Sequence, residues 1–254
     1  SGADVSLICR GEHLKAIQSK GLLMQSKEAN EEYFCKPKAS DDPNDLGKQD
    51  FVIVTLKAHS AALTAENLLP LMDDNTTVLS AVNGLPWWYF YKSGDKYENT
   101  KLISVDPKNW QWEFIKPHRV LGCVVYPAAE IKEPGHVVHS EGNKLLIGEP
   151  DGSISDRARN ISKILIKSGF KSPVRKNIRE DIWMKLWGNL AFNPVSALTS
   201  ATLEDLANDR ETCTIIKKMM QEGEKVANAL GISFPISLEQ RIEGTRKVGQ
   251  HKTS

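Results

Sequence analysis

The chain is expected to fold as an α/β domain on a parallel sheet, residues 1–176, followed by an all-α domain, residues 177–254. Three observations carry this. Short apolar runs at 5–9, 51–56 and 77–82 alternate with helical patterns, the arrangement of parallel strands joined by crossover helices. Beyond residue 177 strand patterns stop, and three helical stretches follow at 178–198, 210–230 and 237–254. The length of 254 residues, 40% of them hydrophobic, supplies core enough for two domains.

The elements can be justified in order. VSLIC (5–9) reads as a strand ending at Arg10, GEHLKAIQSKG (11–21) as a helix, and the residues up to 50 as a polar excursion. FVIVTL (51–56) is apolar without a break, which predicts a strand buried on both faces. AHSAALTAENLLPLM (58–72) has helical spacing with Ser60 as a candidate cap, and TVLSAV (77–82) is a strand closing on Asn83-Gly84. Arg10, Lys57 and Asn83 therefore all lie beyond strand carboxyl ends, where parallel sheets carry their functional loops.

Residues 86–118 hold four of the six tryptophans and show no clean period, so they read either as a lid or subunit contact, or as a surface insertion pinned by its own aromatics; the second is preferred. RVLGCVVY (119–126) returns to strand. HVVHS (136–140) and KLLIGEP (144–150) flank Glu141-Gly142-Asn143 as an expected hairpin. An amphipathic helix over 156–168 stops at Gly169, a residue suited to the left-handed cap, and SPVRK (172–176) is a last short strand.

Lys and Arg number 33 against 32 Asp and Glu, so no global field favours nucleic acid or an anionic membrane, and a small-molecule partner is expected. No apolar run approaches the ~20 residues of a membrane span, and no secretory leader pattern opens the chain, which points to a cytoplasmic protein. Cys9, Cys35, Cys123 and Cys213 form no CxxC pair and read as reduced core thiols. His136 and His139 have no acidic or thiol ligand at metal spacing, and no metal is expected. The chain opens on Ser1 and closes on HKTS inside a helical pattern, and reads as a fragment.

The chemistry-bearing feature is DIWMKLWGNLAFNPVSALT, where Lys185, Asn189 and Asn193 recur every four residues and would stack along one helix face among Leu186, Trp187, Leu190, Ala191 and Phe192. Burying an unpaired ammonium is costly, and a lysine that loses hydration becomes a usable proton donor near neutral pH. Carboxamides beside it can orient a carbonyl without adding charge, so the stripe reads as a site for a polarised C=O. The alternative is a lysine that snorkels to water beside asparagines that cap or bridge helices. Arg10 after the first strand suits the 2′-phosphate of NADP, since an acid at that position would serve the 2′-hydroxyl of NAD. Lys57 and Asn83 add a cation and an amide at two further strand ends.

These segments, in their order and spacing, resemble ketopantoate reductase: VSLICRGEHLKAI, FVIVTLKAH, TVLSAVNGLP, RVLGCVVYPAAEI, HVVHSEGNKLLIGEP, the lysine stretch and the terminal HKTS. The resemblance implies a Rossmann domain, a helical domain like the C-terminal one of 6-phosphogluconate dehydrogenase, and an active site in the cleft between them. It implies that Arg10, Lys57, Asn83 and Ala128 contact the cofactor NADP, and that Asn83 also touches substrate. It further implies Lys185 as catalytic residue, Asn189 and Asn193 as substrate-binding residues, and Ser254 as the serine holding the substrate carboxylate. The activity implied is NADPH-dependent reduction of 2-dehydropantoate (ketopantoate) to pantoate, a step toward pantothenate and coenzyme A, in a possible homodimer. The family's GxGxxG turn is expected ahead of Ser1 and a lysine-orienting glutamate beyond Ser254. Two rivals remain: another NADP-dependent 2-oxo-acid reductase, and a non-catalytic NADP-binding sensor, which would not need a proton donor on the stripe.

Overall fold

A computed structural model describes residues 2–247 and divides the chain into two compact units, Ser1–Ile178 and Arg179–Ser254. Unit 1 is a Rossmann-type α/β domain and unit 2 is all-helical.

In unit 1 the first strand β1 (Ser6–Ile8) runs parallel to β4 (Lys38–Ser40), with helix α1 (Gly11–Lys20) between them. The residues read as a polar excursion hold more structure than expected, because β2 (Leu22–Ser26) and β3 (Glu31–Cys35) pair antiparallel there. A second sheet has the order β10-β7-β6-β5, in which β5 (Phe51–Val54), β6 (Thr77–Ser80) and β7 (Val120–Val125) are parallel. Its last member β10 (Leu145–Gly148) is antiparallel to β7. β5 is an edge strand of this sheet and its Ile53 is exposed, so its unbroken apolar run is not buried on both faces. The crossover from β5 is α2 (Ala58–Leu63) plus a 3₁₀ turn over Glu66–Leu71; Lys57, not Ser60, is the N-cap residue.

The expected hairpin at 141–143 does not form. β9 (His136–Glu141) pairs with β8 (Ala128–Glu133) and β2, giving the third sheet β3-β2-β9-β8, while β10 leaves for β7. Gly142, at φ +78, turns the chain between two sheets instead of within one. Residues 86–118 are a surface insertion only in part: most of 92–105 is exposed, but the start of the segment enters the core. Trp87, Trp88, Tyr89 and Phe90 are all buried, and Trp88 fills the space above Gly122 of β7, where an added Cβ would lie 2.7 Å from its ring. The segment does hold itself together through its aromatics, with Trp112 edge-on to both Trp87 and Tyr91.

Helix α3 (Asp156–Lys167) is capped by the Ser155 hydroxyl, which accepts from the Ala158 N–H at 3.2 Å, and Gly169 follows it at φ +93. Its Ala158, Ile161 and Leu165 cover Leu79, Leu121, Cys123 and Ile147 of the β10-β7-β6 layer. SPVRK contributes only a bridge, Val174 to Ile147. Of the four thiols, Cys123 is buried and Cys35 is exposed, so not all are core thiols.

Unit 2 is built from α4 (Ile178–Thr199), which begins at the unit boundary, and from α5 (Leu203–Asn208), α6 (Arg210–Ala229) and α7 (Leu238–Arg246). α5 was not expected; Thr202 and Asp205 form a capping box that starts it. Its core gathers Trp187, Ala191, Phe192 and Val195 of α4 with Leu206, Ile216, Met220 and Ile242 of the other helices. The third expected helix is described over Leu238–Arg246. Among the described residues, no helix is long and apolar enough to cross a membrane.

Candidate functional site

The sequence-predicted residues fall into two groups, one in each unit. In unit 1 three of them stand at the carboxyl ends of consecutive parallel strands. Lys57 follows β5 in extended conformation and is exposed; its carbonyl oxygen accepts the Ser60 and Ala61 N–H groups, each at 2.9 Å, so the helix start fixes its backbone. Asn83 follows β6 and is exposed in a turn whose Gly84 has φ +96, a conformation that favours glycine. Ala128 follows β7 as the first residue of β8, half-buried, and the β8 to β9 register shifts between Ala128 and Ala129. Such bulges re-aim side chains at sheet rims. The three share one end of the sheet because their strands are parallel.

Arg10 lies at the carboxyl end of β1, in the smaller β1-β4 sheet, and is exposed. It is the N-cap residue of α1, and no side chain caps that helix. A guanidinium beside a helix N-terminus suits a phosphate, since the free N–H groups and the helix dipole both favour negative charge. One guanidinium, one ammonium and one carboxamide at strand ends therefore fit a phosphorylated dinucleotide in their donor chemistry.

In unit 2 the helix expected through the lysine stretch is continuous from Ile178 to Thr199. Lys185, Asn189 and Asn193 are each half-buried on it, at about 6 Å of axial rise per step. Residues between them anchor the helix: Trp187, Ala191 and Phe192 are buried in the core, and the Trp187 ring stacks on Phe234 with centroids 4.1 Å apart. Pro194 directly follows Asn193 and cannot donate to the Leu190 carbonyl oxygen, so the helix loses one of its bonds beside the last amide. Ser254 lies outside the described residues.

Arg241 of α7 was not singled out by the sequence. Its guanidinium lies against Gly188 of α4, three residues from Lys185 and one from Asn189. The available signal was the glycine itself, which costs about 1 kcal/mol relative to alanine inside a helix and so asks for a reason.

A cavity of about 150 Å³ lies elsewhere, lined by Tyr91, Lys92, His118, Glu149, Asp151 and Arg157 among others. It sits where β7 begins and β10 ends, at the opposite end of the sheet from Lys57, Asn83 and Ala128. Arg157 spans it, donating to Glu149 Oε1 at 2.7 Å and Oε2 at 2.6 Å and to the His118 and Val120 carbonyl oxygens. Burial, then the charges of Arg119, Lys116 and Arg157, hold the His118 pKa below its ordinary value. Asp151 is pulled down to about 2 by hydrogen bonds from Ser153, with Lys92 adding to them. These groups are occupied with one another, which is the pattern of a structural ion-pair network.

Comparison with known proteins identifies the family. A family model described as ketopantoate reductase PanE/ApbA matches residues 1–152, and the one for the C terminal part of that family matches residues 177–254. A 2-dehydropantoate 2-reductase of Mesorhizobium japonicum is 44% identical over 251 residues, which is 99% of this chain and 76% of that protein. A crystal structure from Ralstonia solanacearum MolK2, provisionally named a ketopantoate reductase, has a TM-score of 0.94 at 34% identity over 99% of this chain and 78% of its own. D-mandelate dehydrogenase in complex with NADH and anilino(oxo)acetate shares the fold at a TM-score of 0.81 and 17% identity, over 100% of this chain and 76% of its own. With its sheet domain, its helical domain and both family models matched in order, the chain belongs to the ketopantoate reductase family, whose members are nicotinamide-dinucleotide-dependent oxidoreductases.

Proposed function

We propose that the protein reduces the C2 carbonyl of ketopantoate to the alcohol of pantoate with NADPH. The observation that carries this is the stripe of Lys185, Asn189 and Asn193, half-buried together on one helix in a chain 44% identical to a 2-dehydropantoate 2-reductase. When bound, the nicotinamide supplies the hydride. The residues of the chain do the rest. Lys185 donates a hydrogen bond to the carbonyl oxygen, stabilises the negative charge that develops there, and delivers a proton to that oxygen. Asn189 and Asn193 orient the substrate through amide groups, which hold polar atoms without altering the charge balance around the ammonium. Arg10 holds the 2′-phosphate, and so selects NADPH over NADH; Lys57, Asn83 and Ala128 contact the rest of the dinucleotide, with Asn83 reaching the substrate as well. Ser254 receives the substrate carboxylate.

Steady-state assays of the purified enzyme test this, with loss of reduced cofactor followed for ketopantoate and a panel of other 2-oxo acids. The expected result is that ketopantoate with NADPH gives the highest kcat/KM. A different 2-oxo acid preferred by an order of magnitude would shift the assignment to another reductase, and NADPH binding without turnover of any 2-oxo acid would make the protein a sensor.

A further inference from the structure

Gly188 occupies the interior of α4, where glycine is among the least favourable residues. What its small size allows is the approach of Arg241. A Cβ built on Gly188 would lie 3.1 Å from Arg241 Cζ and 3.4 Å from Nε, with Nη2 closer still, so the guanidinium fills the volume of the absent side chain. Arg241 is held in this pose from α7: its Nη1 donates to Thr245 Oγ1 at 3.1 Å, and that buried hydroxyl donates to the Arg241 carbonyl oxygen at 3.1 Å.

The direction of this contact matters for the stripe. At about 100° per residue, position 188 lies about 60° to one side of Lys185 on the helix, whereas Asn189 and Asn193 lie about 40° and 80° to the other side. Positions three apart are surface neighbours, so the guanidinium closes one flank of Lys185 by bulk and by like charge. The opposite flank is the one that carries the amides. Resting on the functional reading above, we propose that Arg241 is a positioning residue that turns Lys185 toward Asn189 and Asn193 and holds it at the reacting carbonyl oxygen. Such an aiming device is needed because a lysine has four side-chain torsions, and small misplacements of a proton donor are costly in rate.

The test uses Arg241→Met, Arg241→Lys and Gly188→Ala in the purified enzyme, with ketopantoate and NADPH as substrates. Arg241→Met is expected to lower kcat roughly 10-fold or more, with the NADPH Michaelis constant within about twofold of wild type. The solvent deuterium isotope effect on kcat should rise, because proton delivery from a misdirected Lys185 becomes slower; a purely structural role would lower the active fraction and leave that ratio alone. Arg241→Lys should recover most of the rate through retained charge. Gly188→Ala displaces the guanidinium and should reproduce the loss, and combining it with Arg241→Met should add little further. Where Arg241→Met fails to fold, Gly188→Ala and Arg241→Lys carry the same comparison per folded molecule. Variants that fold and keep the wild-type kcat and isotope effect would overturn the assignment of Arg241 alone. A wild-type enzyme that reduces no 2-oxo acid would overturn the functional reading, and this role with it.

Discussion

The Trp187 indole on α4 donates its Nε1–H to the Met220 carbonyl oxygen on α6 at 2.9 Å, inside an otherwise apolar core. Lys185 and Asn189 flank Trp187 in sequence and project from the same helix, so the contact that anchors α4 also fixes the rotation of the stripe about the helix axis. Trp187→Phe keeps most of the ring packing and loses the hydrogen bond. It should cost about 1–2 kcal/mol of stability, read from the denaturant midpoint of unit 2 unfolding. A change within experimental scatter would show that the indole N–H contributes nothing to the anchor.

Removing the amine itself is the direct probe of the chemistry. Lys185→Ala should depress turnover by ~10²-fold or more while the far-ultraviolet circular dichroism and melting temperature stay near wild type. Lys185 is half-buried on α4 and belongs to none of the buried positions that anchor the helix, so the change should carry little structural penalty. Near-normal turnover would take Lys185 out of the mechanism.

Cofactor choice is tested at the other unit. Arg10 is exposed at the start of α1, so Arg10→Ala is expected to leave folding intact, to weaken NADPH and to leave NADH almost unaltered. Equal losses for both cofactors would contradict a contact to the 2′-phosphate.

His118 gives a pH prediction whose sign follows from its surroundings. Burial, and then Arg119, Lys116 and Arg157, lower its folded pKa beneath the ordinary 6.5. Between the folded and unfolded values the unfolded chain binds more protons, so stability rises with pH across that window and is lost as pH falls through the folded pKa. His118→Asn should flatten this part of the stability profile of unit 1, measured as urea midpoints over a pH series. An unchanged slope would mean that other groups carry the dependence.

Much of the helical architecture was legible in the sequence because its determinants are local. The four-residue recurrence of Lys185, Asn189 and Asn193 and the glycine after α3 each act within a turn or two of chain, and each appears in the structure. The strand ends carrying Lys57 and Asn83 were legible for the same reason: a short apolar run followed by a polar break marks itself. Only the tertiary structure decided the rest. HVVHS and KLLIGEP are each good strands, but which edge each one joins depends on partners more than one hundred residues away for β9 with β2 and about twenty for β10 with β7. Trp87 to Phe90 lack a period yet are all buried, Trp88 against Gly122, because shape, not spacing, sets burial along a non-repeating chain path. Nothing local marks Arg241 in the sequence, and its meeting with Gly188 exists only because two helices distant in sequence approach closely enough for a guanidinium to replace a side chain.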